Sequence, residues 1–419
     1  MSEDICVIAE KKALLSVDEA QARLFAALIP LTQTETIPLK QAIGRVLASD
    51  VPSPISLPFA RNSAMDGYAF SSTGLSPQTP FTLKCVGSVF AGTPFTHALQ
   101  QGECVRIFTG AVVPDDADSV VMQEQVRVTG QTIHFPADVA FGKHIRQIGE
   151  DVRTGDVLCS ARKTLSAIDL GLLAAGGIEF VDVIRKLNVA YFSTGDELIG
   201  LGLALSTGKV YDSNRYSLHG LLQNPNYTVF DGGVIADDRA LLKHTLQKAA
   251  EQFDVIITTG GASVGEADYI HAVLTECGEV NFWKIAMKPG KPLAFGKLGN
   301  CYFFGLPGNP VAVTTTFDIF LKPALHYLFT GANTRKPLLF SAICTTPLTK
   351  SRGRREFQRG ILTQTLSGEL EVATAGLQGS HVLSSASAAN CYIILNEDTT
   401  GVACGEVVTV LLFNPLHSA

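Results

Sequence analysis

The middle of the chain, from about residue 186 to residue 330, alternates short apolar runs with segments of helical periodicity. The apolar runs are rich in β-formers, end near glycine, and are too short for ordinary helices. The predicted strands cover 187–192, 229–235, 254–259 and 301–304, and the predicted helices cover 214–222, 238–251, 267–277 and 311–328. This alternation predicts an α/β domain with a mostly parallel sheet and a ligand at the carboxyl ends of its strands.

On both sides of this region the period of the apolar positions falls to two. Short alternating segments separated by Gly, Pro and Asp turns fill 81–141 and most of the chain after residue 336, which predicts two small β domains. Outside the middle region the helical pattern predicts one helix after Ser16, whose capping box is completed by Glu19, a second over 39–48, and a third over 167–175 after Ser166.

The composition fits a protein that buries several hydrophobic cores. At 419 residues the chain is too long for one core, and 46% hydrophobic against 17% charged residues argues against disorder. A net charge of −6 argues against a general nucleic-acid-binding protein. No apolar run approaches the ~18 residues of a membrane span, and the acidic N-terminus has no signal-peptide pattern. Nine dispersed cysteines without a C-x-x-C pair indicate reduced thiols, so we expect a soluble, cytoplasmic protein.

Two of the predicted strands run into glycine-rich loops. Gly260 and Gly261 follow the third strand, with Ser263 and Asp268 a few residues beyond, and the loop 305–310 follows the fourth strand. Backbone N–H groups in such loops bind phosphates and other anions. The first loop is neither G-x-G-x-x-G nor a Walker A sequence, and a double glycine after a strand is more often only a tight turn.

Acidic residues follow three of the predicted strands. Asp196 and Glu197 come after the first strand, Asp237 and Asp238 after the second, and Asp268 after the third. Because parallel strands end at one edge of a sheet, these carboxylates are expected to converge, and Mg²⁺ favours a few carboxylates together with phosphate and water. Simpler explanations are a helix cap for Asp238 and a solvated turn charge for one of the first pair.

Basic residues concentrate in two further segments. Lys284, Lys288 and Lys291 surround a Pro-Gly turn whose backbone is pinned by prolines, and four arginines lie in 352–359. Ammonium groups and planar guanidinium groups both suit a tetrahedral oxyanion, although each segment is also compatible with a plain surface turn. No H-x-x-x-H pair and no G-x-S-x-G sequence is present, which argues against a zinc hydrolase or a serine hydrolase.

Taken together, these motifs resemble those of the molybdopterin molybdenumtransferases, a family whose eukaryotic relatives include the C-terminal domain of gephyrin. Asn-Ser-Ala-Met-Asp-Gly-Tyr at 62–68 and Gly-Leu-Pro-Gly-Asn-Pro at 305–310 are two of the matching motifs. The others lie at 109–114, 121–124, 149–151, 193–198, 254–268, 288–292, 353–360 and 378–380. So many motifs in the family's order, over nearly the whole chain, make the resemblance highly specific.

The resemblance implies a multidomain fold, α/β plus all-β, in an elongated homodimer. The expected domains are a discontinuous N-terminal domain (1–53 and 145–185), an inserted small β domain (54–144), a central α/β domain of the molybdopterin-binding type (186–335) and a C-terminal β-barrel-like domain (336–419). The active cleft would lie between the α/β domain of one subunit and the inserted domain of the other.

The implied activity is the last step of molybdenum cofactor synthesis, with adenylylated molybdopterin and molybdate as substrates, Mg²⁺ as cofactor and AMP as a product. Asp268, Asp237 and Glu197 would be catalytic acids and metal ligands, and Asp151 a further catalytic acid from the partner subunit. The implied substrate contacts are Gly260, Gly261, Ser263, Lys284, Lys288, Pro307, Asn309, Pro310, Arg359, Ser380, Ser63 and Asp66. The molybdopterin adenylyltransferase and acceptor apoenzymes are further implied partners, and nucleic acids and membranes are not.

One position departs from the family's pattern. The family usually has Phe-Asp-Asn-Ser where this chain has Phe59, Ala60, Arg61 and Asn62, so a cation replaces an acid presumed to line the cleft. Arg61 is then an anion contact, or the acid is dispensable here, or activity is reduced. Two other functions stay open: a molybdopterin adenylyltransferase-like enzyme, which shares the Thr-Thr-Gly-Gly loop but lacks the β domains, and a non-catalytic scaffold of the gephyrin type, which has no need of acids at three strand ends.

Overall fold

The computed structural model describes residues 14–260, 269–331 and 337–413. These residues form two compact units. The small unit consists of Thr36–Ile43 and Leu47–Val183, and the large unit consists of the remaining described residues. None of the helices in these ranges combines the length and the apolar character that crossing a membrane requires.

The α-helices of the described ranges are short, and most were predicted from periodicity. They are α1 (Val17–Ala27), α2 (Ala167–Ala175), α3 (Ser213–Leu221), α4 (Arg239–Ala250), α5 (Tyr269–Cys277), α6 (Pro310–Thr316), α7 (Lys322–Thr330) and α8 (Leu383–Ala388). The capping box of α1 is present, because Ser16 Oγ accepts from the backbone N–H of Glu19 at 3.1 Å and the Glu19 carboxylate accepts from the Ser16 N–H at 2.9 Å. The same arrangement joins Ser166 to Asp169 at the start of α2.

The helix predicted over 39–48 is wrong, because the chain makes only a 3₁₀ turn at Leu39–Gln41. Gly44 interrupts the segment with a φ of +71°, outside the helical region. A Cβ at Gly44 would lie 2.7 Å from Cγ of Pro225, so the position also has no room for a larger residue. The apolar periodicity of 39–48 therefore reflects burial in a turn and not a helix.

The small unit is built on a six-stranded sheet of order β7-β4-β6-β5-β9-β8. The strands up to residue 184 are β1 (Thr34–Pro38), β2 (Val51–Pro52), β3 (Asn62–Ser63), β4 (Gly67–Phe70), β5 (Phe81–Val89), β6 (Glu103–Ile107), β7 (Ser119–Met122), β8 (Arg127–Thr129), β9 (Thr132–Phe135), β10 (Ile145–Arg146), β11 (Val157–Cys159) and β12 (Phe180–Ile184). Alternate residues of the sheet enter two apolar clusters, one with Val105 and Ile107 and one with Phe70 and Phe135. The small β domain predicted from the alternating pattern is confirmed.

The large unit contains the predicted α/β sheet, in the order β16-β13-β17-β21-β20-β18. Its segment of the chain contributes β13 (Leu187–Thr194), β14 (Leu198–Ile199), β15 (Val210–Tyr211), β16 (Tyr227–Ile235), β17 (Val255–Thr259), β18 (Glu279–Lys284), β19 (Met287–Lys288), β20 (Pro292–Leu298) and β21 (Cys301–Leu306). β16, β13, β17 and β21 are parallel, whereas β20 and β18 pair antiparallel at one side. The mostly parallel sheet is confirmed, and the antiparallel pair was not predicted.

Helices α4 and α5 cover one face of this sheet. Leu242 and Leu246 of α4 and Val273 of α5 join Phe192 and Phe303 of the strands in one buried cluster. Burying such side chains stabilises the fold by roughly 1.5–3 kcal/mol each. The helix predicted over 311–328 is present as α6 and α7 joined by a π turn at Phe317–Leu321.

A closed five-stranded barrel completes the large unit. The strands after residue 336 are β22 (Leu339–Cys344), β23 (Leu348–Thr349), β24 (Arg355–Gln364), β25 (Leu370–Thr374), β26 (Cys391–Leu395), β27 (Gly401–Val402) and β28 (Val407–Leu412). The short strands β23 and β27 pair with each other, and the other five form the barrel. The ring runs β24-β25-β22-β28-β26, and β26 pairs back onto β24. The segment 284–292, here called the lysine turn, contains β19. Because β19 pairs with β24 in parallel, the lysine turn is joined to the barrel.

Candidate functional site

The carboxyl ends of the four parallel strands lie at one edge of the sheet, as the alternation predicted. Gly260 is the first residue after β17, and its φ is +87°. A Cβ there would lie 2.7 Å from Oγ1 of Thr194 and 2.8 Å from the carbonyl oxygen of the same residue. The Gly260 N–H donates to the Leu306 carbonyl at 3.2 Å. Gly260 is therefore fixed between the ends of β13 and β21, where a larger residue does not fit.

Two acidic loops meet at this edge through reciprocal hydrogen bonds. The backbone N–H of Asp237 donates to Oδ1 of Asp196 at 3.1 Å, and the backbone N–H of Asp196 donates to Oδ2 of Asp237 at 3.4 Å. The Glu197 carboxylate folds over Gly195, where a Cβ would lie 2.5 Å from Oε2. The predicted convergence of the first two acidic loops is thus present.

The negative charge of these loops affects the pKa of Asp237. Partial burial raises the pKa of Asp237 above its ordinary value, and the negative charges of Asp196 and Glu197 raise it further, against the lowering effect of the backbone hydrogen bond from Asp196. Three carboxyl groups that repel one another favour a bound cation, which relieves the repulsion.

The metal ligands themselves stay a prediction. Within the described ranges no three His, Cys, Asp or Glu side chains are arranged to hold a metal ion. Asp268, Ser263 and Gly261 lie outside the described residues. Asp237, Asp196 and Glu197 fit Mg²⁺ in the chemistry of their donor atoms, since that ion prefers carboxylate oxygens and needs only one or two of them beside a phosphate.

The simpler explanation for Asp238 is confirmed. Its Oδ1 accepts from the backbone N–H of Leu241 at 2.7 Å, so it caps α4. Asp212 likewise caps α3 by accepting from the N–H of Arg215 at 3.1 Å. A cation missed in the sequence is Lys209, whose Nζ donates to the carbonyl of Asp196.

The loop after β21 touches the glycine loop. Gly308 is so close to Gly260 that a Cβ on Gly308 would lie 3.9 Å from the Gly260 Cα. Asn214 holds this loop by donating from Nδ2 to the Gly308 carbonyl at 2.7 Å. Asn309 begins α6 without capping it through its side chain, and Pro310 occupies the first turn.

Beside this loop lies a cavity of about 670 Å³. The lysine turn, the loop after β21 and the barrel enclose it, and it is lined by Met287, Lys288, Pro289, Gly290, Lys291, Pro292, Pro307, Gly308, Asn309, Ala312, Pro347, Leu348, Thr349, Arg354, Gln358, Thr374, Gln378, Gly379 and Ser380. Four residues predicted to contact substrate meet here: Lys288, Pro307, Asn309 and Ser380. Lys291 and Arg354 were not predicted, although both belong to the basic segments singled out in the sequence.

Lys288 reaches the cavity from an ion pair with a buried acid. Its Nζ lies 3.2 Å from Oε1 of Glu356, and the two residues are partners in the β19–β24 pairing. The Glu356 side chain is 4% exposed, and its Oε2 accepts from Nε2 of Gln358 at 3.0 Å. The Lys288 side chain is 47% exposed and lines the cavity, and its ammonium has three donors, of which Glu356 accepts one.

Arg359 does not line this cavity. The residue is 1% exposed, and its guanidinium donates to the carbonyls of Leu377 at 2.8 Å, Gln378 at 3.2 Å and Gly379 at 3.1 Å, and to Oγ of Ser385. Burial lowers the pKa of Arg359. The interpretation of 352–359 as a basic turn is wrong, because most of it belongs to β24. Arg359 therefore stabilises the segment 377–379, which precedes Ser380 and lines part of the cavity, without lining the cavity itself.

Lys284 and Pro310 also lie outside the cavity lining. Lys284 ends β18, where its backbone carbonyl accepts from the Leu15 N–H at 3.0 Å. Pro310 opens α6. Their assignment as substrate contacts stays a prediction.

The thermal stability of a Gly290 variant tests how tightly the lysine turn is packed. Its φ is +101°, and a Cβ would lie 2.6 Å from Oγ1 of Thr316. Gly290→Ala should therefore lower the thermal midpoint by more than Gly405→Ala, since Gly405 has a similar φ of +91° but nothing within 4 Å of its Cβ position. Both variants carry a backbone cost of about 1–3 kcal/mol, and only the first adds overpacking of about the same size. Equal midpoints for the two variants would show that the turn adapts to a side chain.

Known protein families match this chain over nearly its whole length. Three family models match: the MoeA N-terminal region (domain I and II) over residues 15–177, a probable molybdopterin binding domain over 190–327, and the MoeA C-terminal region (domain IV) over 341–413. The molybdopterin molybdenumtransferase of Haemophilus influenzae is 44% identical over 96% of this chain and 100% of its own length. The chain belongs to the molybdopterin molybdenumtransferase family.

Other members of the molybdopterin molybdenumtransferase family agree with this assignment. Molybdopterin molybdenumtransferase 2 of Mycobacterium tuberculosis is 34% identical over 94% of this chain and 98% of its own length. A crystal structure of the molybdopterin biosynthesis moeA protein of Pyrococcus horikoshii OT3 superposes with a TM-score of 0.82 at 29% identity, covering 96% of this chain and 100% of the other. The predicted multidomain fold, with a central α/β domain between β domains, is confirmed.

The small unit holds the other residues that the molybdopterin molybdenumtransferase resemblance singled out. Asp66 accepts from the backbone N–H and the Oγ1 of Thr109, both at 2.8 Å, and these bonds lower the pKa of Asp66. Ser63 Oγ donates to the Met65 carbonyl at 2.6 Å. The Asp151 side chain is exposed. Their catalytic and binding roles stay predictions.

Arg61, where the chain departs from the molybdopterin molybdenumtransferase pattern, is already engaged within the small unit. Its guanidinium donates to the carbonyls of Ala117 at 3.0 Å and of Pro114 and Asp115 at 3.1 Å. The side chain is 27% exposed. Arg61 therefore clamps the turn at 114–117, which gives it a structural task that the sequence did not reveal.

Proposed function

We propose that this protein is a molybdopterin molybdenumtransferase that takes adenylylated molybdopterin and molybdate, releases AMP and leaves molybdenum on the pterin dithiolene. The observation that carries the proposal is one juxtaposition in the large unit. The cavity that bears Lys288, Lys291 and Arg354 includes Gly308, which lies next to Gly260 at the strand edge. The same edge carries Asp196 and Asp237. Cations for an oxyanion and acids for a metal ion are the two requirements of this reaction.

The cavity is the proposed site of molybdate and of part of the pterin substrate. Its volume of about 670 Å³ is far larger than a tetrahedral oxyanion needs, so it has room for a ring system or a phosphate as well. Lys291 and Arg354 supply charge-assisted donors, and the guanidinium plane of Arg354 suits two oxygens of one anion. The amide of Gln358 and the hydroxyl of Ser380 are the polar groups available for the pterin.

The acidic edge is the proposed site of phosphoanhydride cleavage. A divalent cation, for which we propose Mg²⁺, would neutralise charge on the phosphates when bound by Asp237 and Glu197, with Asp268 as the third acid. Gly260, held between Thr194 and Leu306, is the described residue from which we propose that the nucleotide side begins. An oxygen of water or of molybdate attacks phosphorus, the phosphoanhydride bond breaks, and AMP leaves, so no side chain need act as a covalent nucleophile.

Release of AMP from adenylylated molybdopterin tests the proposed function. The full chain is incubated with the substrate in four mixtures, with and without molybdate and with and without Mg²⁺, and AMP is quantified by chromatography. We expect AMP release that needs the cation and is stimulated by molybdate. The proposal would be refuted if the chain formed adenylylated molybdopterin from ATP. It would also be refuted if the chain bound the substrate without cleaving it.

Lys291 and Arg354 line the cavity and have no ion-pair partner among the residues that the structure describes, and they give a more specific prediction. Arg354→Ala and Lys291→Ala should each weaken molybdate binding by roughly ten- to a hundredfold, the value of one charge-assisted contact. Cation-dependent AMP release measured without molybdate should change less. Arg352→Ala is the matched control, because this arginine belongs to the same basic segment but does not line the cavity. If the molybdate titration of the Arg354 variant overlays that of the wild type, molybdate does not bind in this cavity.

We also propose a homodimer in which Asp151 acts in the partner subunit's site, as the family resemblance implies. Mixing Asp151→Asn chains with Asp237→Asn chains tests this directly. If each site takes these acids from different subunits, a mixed dimer keeps one intact site, and refolded mixtures should regain up to about a quarter of wild-type activity. If both acids act within one subunit, no mixture regains activity. The adenylyltransferase and acceptor apoenzymes stay predicted partners, and the cytoplasm the predicted location.

A further inference from the structure

The charges at the cavity are not independent of one another. Three cations line it, Lys288, Lys291 and Arg354, and the described lining includes no acid. Lys288 alone among the three has an ion-pair partner in the part of the chain that the structure describes, and that partner is Glu356 at 3.2 Å. Glu356 stands behind the lysine and does not itself line the cavity.

Glu356 is placed so that its charge acts on Lys288. A carboxylate that is only 4% exposed requires a partner, since an unpaired buried charge is strongly destabilising. Its two oxygens are occupied by Lys288 and by the amide of Gln358, which also donates to the Thr349 carbonyl at 3.0 Å. Glu356 and Lys288 are register partners on paired strands, which fixes their separation by backbone geometry.

We propose that Glu356 is a positioning residue that sets the charge of the cavity to match a dianion. Three cations and one carboxylate leave two positive charges, and a molybdate dianion neutralises them. The identification of the dianion as molybdate rests on the proposed function. Arg359 adds a constant background charge, because it is bonded to the carbonyls of 377–379 and is not replaced in any variant considered below.

Charge matching has a purpose in a cavity of this kind. The substrate carries phosphate groups, and a cavity with an uncompensated third cation would prefer those more highly charged groups to molybdate. Glu356 removes that preference and at the same time orients the Lys288 ammonium by taking one of its three N–H donors. The remaining donors are directed to the anion.

Anion titrations of Glu356→Gln test the proposal. Glutamine keeps the shape of the side chain and an acceptor for Lys288 but removes the charge. Calorimetric titration of the full chain with sodium molybdate and with inorganic pyrophosphate gives the ratio of the two dissociation constants. We expect Glu356→Gln to shift this ratio toward pyrophosphate by about tenfold, the effect of one charge at partly screened distance. A ratio equal to that of the wild type would overturn the proposal.

A second variant separates charge from packing. Lys288→Met combined with Glu356→Gln removes both members of the pair and restores two positive charges, so its ratio should return to the wild-type value although both anions bind more weakly. A double variant whose ratio stays shifted toward pyrophosphate would overturn the proposal, and this holds also if the single variant does not fold.

Glu369→Gln is the matched control, because it removes the same charge from an exposed position in the barrel part of the chain. Its ratio should equal that of the wild type, and a shift as large as that of Glu356→Gln would contradict a local effect. None of these titrations requires turnover. Failure of wild-type AMP release would therefore refute the proposed function and leave the charge ratio to be judged separately.

Discussion

Replacing Asp237 with asparagine is expected to lower magnesium-dependent AMP release by about 10²–10³-fold, the usual effect of losing one charged group that stabilises the transition state. Asparagine keeps the backbone N–H that donates to Asp196 and an oxygen that can accept in return, so the two loops should stay joined. Because Asp196 and Glu197 repel the charge of Asp237, the thermal midpoint should be unchanged or slightly higher.

Asp238→Asn is the matched control for this prediction. The neighbouring acid caps α4, and asparagine caps a helix as well as aspartate does, so AMP release should stay near the wild-type rate. The same loss as for Asp237 is predicted from the sequence for Asp268→Asn. Wild-type turnover of Asp237→Asn at saturating Mg²⁺ would show that this acid is not a metal ligand.

Arg359→Ala is expected to destabilise the barrel by roughly 3–5 kcal/mol. The substitution leaves the carbonyls of Leu377, Gln378 and Gly379 and the hydroxyl of Ser385 buried without their charged donor. The thermal midpoint should fall by several degrees. Molybdate binding should weaken as a consequence, because the segment that leads to Ser380 loses its support.

Arg359→Lys distinguishes support from direct contact. Lysine keeps the charge but not the planar fork that reaches three carbonyls, so it should destabilise the protein nearly as much as alanine does. If the guanidinium bound the oxyanion, the lysine variant would instead retain much of the affinity for molybdate. An alanine variant with an unchanged midpoint and a selective loss of molybdate binding would restore the substrate contact predicted from the sequence.

Much of the fold was accessible to sequence reasoning where local signals agree with tertiary structure. Ser16 and Ser166 begin helices at the predicted residues because capping boxes are local. β17 and β21 are buried along their whole length, and β13 and β17 are each followed by a glycine, so their pattern is visible in the sequence. β24 was missed because its buried positions hold Glu356, Gln358 and Arg359, whose partners lie far away in the chain. Gly44 shows the opposite failure, since a helical apolar period survived a glycine that prevents the helix.

The residues of the candidate site were likewise predicted only in part. Lys288, Pro307, Asn309 and Ser380 were predicted and meet in one cavity, because they belong to motifs that recur as units. Lys291 and Arg354 lie in the basic segments found in the sequence, but they were not predicted to contact substrate. The pairing of Glu356 with Lys288 depends on the register of β19 against β24, and the three carbonyls that Arg61 binds depend on a turn more than fifty residues away. No local pattern carries that information.

Counting molybdenum and AMP in one reaction is the most direct test of the proposed function. Wild-type protein is supplied with adenylylated molybdopterin, molybdate and Mg²⁺, AMP is measured by chromatography, and pterin-bound molybdenum is measured by mass spectrometry after removal of free molybdate. We predict that each AMP released is matched by one molybdenum bound to the pterin, and that both fall together by about 10²–10³-fold in Asp237→Asn. AMP released without molybdenum on the pterin, or molybdenum bound with the adenylate intact, would contradict the proposed coupling of the acidic edge to the cationic cavity.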